Sequence, residues 1–160
     1  MLDYNTFFPY AKPRKEQRRA IEFAIEAIEK SDKRFVIIEA GTGVGKSAIG
    51  LTLSRYLEQA VPSKEGFAQG GYFLTTQKIL QTQYENDFGR PRGDMKSVYS
   101  ASNYRCKFHK ANDCRTSQQM LRTADRKSAF FKACAGGCRY KMAKKNFLES
   151  PESVTNFPYF

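Results

Sequence analysis

The stretch FVIIEAGTGVGKSAIG, residues 35–50, constrains this chain more than any other. Its first part belongs to a short continuous apolar run, which predicts a strand covered on both faces. A glycine-rich turn follows. From about Gly45 to Ala60 the spacing predicts a helix with Ile49, Leu53, Tyr56 and Leu57 facing inward. Ala40-Gly41-Thr42-Gly43-Val44-Gly45-Lys46-Ser47 fits the phosphate-loop pattern, with Ala where Gly usually stands first. The chemistry asks for these residue types. Glycines let successive backbone N–H groups approach phosphate oxygens, and the helix that follows points its positive dipole end at the anion. Lys46 is expected to reach the β- and γ-phosphates of ATP, and the Ser47 hydroxyl to ligate Mg²⁺. The competing reading is a glycine-rich turn with a chance lysine. A strand before the turn and a helix after it favour the phosphate loop.

The rest of the chain supplies more of the same alternation. Residues 16–30 place Ile21, Ala24, Ile25 and Ile28 at helical spacing, with Glu22, Glu26 and Glu29 on the other face, and Pro13 can open that helix. VPSKEGFAQGG reads as a loop, GYFLTT as a second strand, QKILQTQYENDF as a helix and KSVYS as a third strand. Strand and helix in alternation predict an α/β fold with a parallel sheet. From residue 102 to about 145 the composition turns basic and cysteine-bearing. Helical pieces are expected at 116–132 and 139–148, and SVTNFPYF at the end reads as a strand leading into a turn.

The formal net charge of +11 is concentrated. Residues 90–145 carry 15 Lys/Arg against 3 Asp/Glu, so the remainder of the chain is close to neutral. Such a segment attracts polyanions, nucleic acid first among them; the bland alternative is a solubilising surface. No apolar run is long enough to span a membrane, and the first residues lack the pattern of a secretory signal. A reducing, cytosolic-type compartment is therefore expected, where cysteines serve as metal ligands more often than as disulfides.

The four cysteines, Cys106, Cys114, Cys134 and Cys138, fall within 33 positions, with gaps of 7, 19 and 3 residues. Clustering points to one shared site. Cys134-Ala-Gly-Gly-Cys138 has the tight spacing of a zinc pair, but Cys106 and Cys114 stand too far apart. Irregular spacing also suits an iron–sulfur cluster. Spacing leaves both open, with free thiols as a third reading. His109 reads either as a zinc ligand or as a surface histidine.

Four segments, in order, resemble the iron–sulfur DNA helicases of superfamily 2, the XPD/DinG group, and more closely its bacterial and phage DinG-like branch. PRKEQ is similar to the N-terminal motif, which implies that Arg14 and Gln17 contact the nucleotide near its base. EAGTGVGKS resembles motif I. TTQKILQTQ resembles motif Ia, with Thr75, Leu80, Gln81 and Gln83 matching and Gln77 replacing a Thr. SNYRC and GCRYKMA resemble the first and last cysteine boxes, although Arg139 stands where the family has Pro. VTNFPYF is similar to the strand that returns to the motor.

The resemblance implies a partial RecA-like motor domain over residues 1–100, an inserted, mainly helical iron–sulfur domain over 101–148, and the start of a return strand over 149–160. It implies a 4Fe–4S cluster on all four cysteines, and single-stranded or forked DNA as partner. Thr75, Gln77, Gln81, Arg105 and Lys107 become the DNA-contact candidates, with Lys110 and Arg115 also plausible on phosphates. Tyr99, Tyr104 or Phe108 is placed to stack on bases. The implied activity is ATP-dependent 5′-to-3′ unwinding by a cytoplasmic monomer in a bacterial or phage-infected cell, with DNA repair as a setting. The family's Asp-Glu-x-His box and second motor domain do not occur in these residues, so the chain is expected to be an N-terminal portion, inactive as a motor alone. The alternative is a nucleotide-gated nucleic-acid-binding module, stabilised by zinc or an iron–sulfur centre.

Overall fold

The computed structural model describes residues 2–31, 33, 35–60, 70–89 and 95–156. The expected loop at 61–69 and the last four residues of the expected return strand lie outside the described residues. The chain divides into two compact units, Met1–Gly71 and Tyr72–Phe160.

The first unit is built on two helices, α1 (Lys15–Glu29) and α2 (Lys46–Ala60). Arg14, not Pro13, occupies the N-cap of α1; its backbone N–H donates to Gln17 Oε1 at 2.8 Å. That bond satisfies a donor the helix itself leaves unpaired. The 3.6-residue period buries Ile21, Ala24 and Ile25 on one face of α1. Ile21 and Ile25 meet Ala48, Ile49 and Tyr56 of α2, and Phe8 closes the cluster. The aromatic N-terminal segment is ordered by a 3₁₀ turn, Tyr4–Phe7, capped by Asp3. Phe7 packs edge-on to Tyr56 at 6.1 Å, and Tyr56 Oη donates to Glu29 Oε1 at 2.7 Å.

Residues 35–40 differ from expectation. They form no strand, and Phe35 and Ile37 are 85% and 90% exposed. Exposure alternates along the run, with Ile38 packed on the helical core and its neighbours outward. The apolar composition implied two covered faces. Among the described residues of this unit, the helices cover the segment and no strand supplies it with ladder hydrogen bonds.

The second unit holds a three-stranded sheet in the order β1 (Gly71–Thr75), β3 (Glu152–Asn156), β2 (Met95–Ser97). β2 and β3 run parallel, with Met95 opposite Glu152 and Ser97 opposite Val154. The central strand is almost wholly buried although Glu152, Ser153 and Thr155 are polar. Side-chain bonds offset that cost: Thr155 Oγ1 donates to the Val98 carbonyl at 2.8 Å, and Ser153 Oγ to that of Phe147. Helix α3 (Lys78–Tyr84) continues into a π-helical turn, Glu85–Gly89.

Three short helices carry the cysteine region: α4 (Cys114–Leu121), α5 (Ala129–Ala135) and α6 (Arg139–Glu149). The expected helix over 116–132 is broken in two because Ser128 caps a new start, accepting from Phe131 N. Asp113 caps α4 in the same way through Thr116 N. Helix α6 returns the chain to the sheet, where Phe147 stacks on Tyr72 at 5.2 Å.

Candidate functional site

In the first unit the loop before α2 is held from both ends. Lys46 Nζ turns back onto the carbonyls of Ala40 and Gly41, at 2.9 and 3.1 Å. Arg14 Nη1 donates to the Gly43 carbonyl at 3.2 Å and Gln17 Nε2 to that of Val44 at 2.9 Å. Arg14 and Gln17, expected near a nucleotide base, thus grip the loop backbone. Gly41, Thr42, Gly43, Gly45 and Lys46 are exposed, and Val44 and Ser47 partly so. The exposed ammonium therefore rests on two carbonyl oxygens of its own loop.

Gly45 has φ +86°, and a Cβ there would stand 2.5 Å from Gln17 Nε2. Gly45→Ala therefore meets both left-handed backbone strain and a clash. The backbone term alone is about 1–2 kcal/mol, so the thermal midpoint is expected to fall and nucleotide affinity to weaken with it. A calorimetric scan with a nucleotide titration checks this; an unaltered midpoint contradicts it.

In the second unit the four cysteines line one cavity, closed by Phe108, Phe130 and Tyr140. Helix edges bring them there. Cys114 opens α4, Cys134 lies in the last turn of α5, and Cys138 caps α6. Cys106 sits in a loop tied by an antiparallel bridge between Arg105 and Asp113. Gly137, at φ +99°, makes the turn between the last two. All four thiols are free.

The sulfurs feel one another. Burial pushes the Cys114 thiol up to about 12, and the neighbouring Cys138, Cys134 and Cys106 push the same way. The Cys138 thiol lies beside those of Cys114 and Cys134 and raises both. Burial also raises Cys134, against the pull of Lys141. Cys106 moves in the opposite direction. Burial alone would raise it, but the nearby Ser117 hydroxyl and the backbone N–H groups of His109 and Phe108 outweigh that and lower it. The His109 N–H lies 3.3 Å from Cys106 Sγ, and Gln118 Nε2 3.7 Å from Cys114 Sγ. Among the described residues, no three His, Cys, Asp or Glu side chains are arranged to hold a single metal ion. The His109 ring packs on Phe108 and Phe130, at 4.9 and 4.5 Å.

The nucleic-acid candidates separate by exposure. Gln77, Arg105, Lys107, Lys110 and Arg115 are exposed. Thr75 is buried, its hydroxyl 3.1 Å from the Gln77 carbonyl. Gln81 is wholly buried and its Nε2 donates to the Val98 carbonyl at 3.1 Å. In this conformation it ties α3 to the sheet and offers no side-chain contact at the surface. Tyr99 donates to Glu85 at 2.8 Å, and Tyr104 Oη accepts from Tyr99 N at 3.1 Å. Phe108 is the exposed aromatic of the three candidates. Ser117 and Gln118 were not anticipated from sequence. Their only signal is position, three and four residues after Cys114 on one helix face.

A glycine-rich turn feeding a helix, with a lysine and a serine at its end, defines a P-loop nucleotide-binding domain. Residues 10–146 match the family described as Type III restriction enzyme, res subunit (ResIII), and the chain belongs to that family. It is thereby a helicase-type ATPase domain of superfamily 2, a nucleotide-binding part of a nucleic-acid motor. No curated protein and no solved structure matches the chain. Among the described residues, no helix is long and apolar enough to cross a membrane.

Proposed function

We propose that this chain is the ATP-binding and strand-handling portion of an iron–sulfur DNA helicase of the XPD/DinG type. Lys46 and Ser47 bind Mg-ATP, and Cys106, Cys114, Cys134 and Cys138 hold a 4Fe–4S cluster. The observation that carries this reading is the meeting of all four thiols in one cavity, in a chain that also has a phosphate loop. The donor set fits the group. Four thiols suit a cubane cluster, and backbone and side-chain N–H groups already face two of the sulfurs.

A bound cluster would pin four points of a region made of short helices, and such binding energy is folding energy. The exposed basic side chains then take up single-stranded or forked DNA, Arg105 and Lys107 on phosphates and Gln77 at the start of α3, with Phe108 available for stacking. Unwinding proceeds 5′ to 3′ in the complete motor, which acts as a monomer in the cytoplasm.

Anaerobically purified protein is expected to be brown and to contain about four iron and four acid-labile sulfide per chain. A colourless protein with one zinc would favour the nucleotide-gated nucleic-acid-binding module. Affinity for single-stranded DNA is expected to fall steeply with salt, with a log–log slope steeper than about −2, as when roughly three phosphates are neutralised. A flat salt response would remove the basic region as the DNA contact.

A further inference from the structure

Ser117 lies one turn after Cys114 on α4 and is 3% exposed. Its hydroxyl lines the four-cysteine cavity on the side of the Cys106 thiol, close enough to lower it, but forms no hydrogen bond there. A helical serine either points its hydroxyl to solvent or turns it to the carbonyl four residues back. Here the Asp113 carbonyl takes only the ordinary helical N–H of Ser117, at 3.1 Å, and the hydroxyl does not join it. A buried hydroxyl without an acceptor is unfavourable, and in a native structure it calls for an explanation. The cavity supplies one kind of acceptor close by, sulfur. The His109 N–H and the Gln118 amide already point at Cys106 Sγ and Cys114 Sγ from the same side of the sequence. Ser117 is the third donor of this set, directed at Cys106 without a completed hydrogen bond.

We propose that the Ser117 hydroxyl donates a hydrogen bond to the sulfur of a cluster held by the four cysteines, and so sets the cluster's reduction potential and its retention. This rests on the iron–sulfur reading above. Thiols are weak acceptors, whereas thiolate and sulfide sulfurs carry negative charge and accept well. A donor at sulfur favours the more negative, reduced state, which raises the potential. Ser117 is a positioning and tuning residue; it ligates nothing.

The test compares wild-type, Ser117→Ala and Ser117→Thr chains reconstituted with iron and sulfide under anaerobic conditions. Iron and sulfide content, the potential from a spectroscopic redox titration and the rate of iron transfer to a chelator are measured on each. Support requires a full cluster in Ser117→Ala with a lower potential and release about tenfold faster, and Ser117→Thr returning toward wild type. A full cluster with unchanged potential in Ser117→Ala overturns the tuning role and leaves the cluster reading standing. The same holds if Ser117→Thr shifts as far as Ser117→Ala, since the hydroxyl was kept. A wild-type chain that takes up no iron or sulfide overturns both.

Discussion

Lys46→Ala is expected to lower ATP affinity by roughly 100-fold, corresponding to about 3 kcal/mol of lost charge-assisted hydrogen bonding. The substitution isolates binding from folding unusually well. Lys46 is exposed, and its bonds here go to the carbonyls of Ala40 and Gly41, two neighbours in the same loop. The packing that holds the unit together lies elsewhere, among Phe8, Ile21, Ile25, Ile49 and Tyr56. Circular dichroism and the thermal midpoint should therefore stay close to wild type while nucleotide titration shows the loss. An unaltered affinity would sink the assignment of residues 40–47 as the phosphate loop.

Cys138→Ala is the second large effect. Cys138 is buried, stands at the N-cap position of α6 and lies beside two of the other three thiols. Its loss should reduce bound iron from about four per chain to less than one. It should also destabilise the second unit by more than about 3 kcal/mol, because the cluster's binding energy contributes to folding. Chelation of iron from the wild-type chain should reproduce the second effect without the substitution. If Cys138→Ala keeps its full iron and sulfide, the cysteines do not act as one ligand set.

Where a single local pattern determined an element, the sequence was a good guide. Helices α1, α2 and α6 lie within a residue or two of their expected bounds, because one apolar stripe or a clear break sets each. The strand at 152–156 was legible as well, although three of its buried residues are polar. What escaped depended on neighbours distant in sequence. FVII is apolar whether one face or two are covered, and composition cannot count the strands beside it. Gln81 fits a DNA-contact motif and a buried tie equally well, and only the position of the Val98 carbonyl decides which it makes here. The cysteine spacing disclosed that a site exists. It did not disclose that Ser117 would turn its buried hydroxyl toward that site, since a serine three residues past a cysteine is unremarkable until α4 is packed.

Gln17 gives the first unit a property that neither of its parts has alone. Its Oε1 closes the first turn of α1, and its Nε2 holds the Val44 carbonyl. Ends of helices ordinarily fray on their own, and exposed loops ordinarily wander on their own. Here one amide is a fastener common to both, so unwinding the start of α1 releases the loop 27 residues away, and loosening the loop unlatches the helix. A ligand that stills the loop therefore also stills the chain's first long helix, and its grip registers as lost motion in residues it never touches.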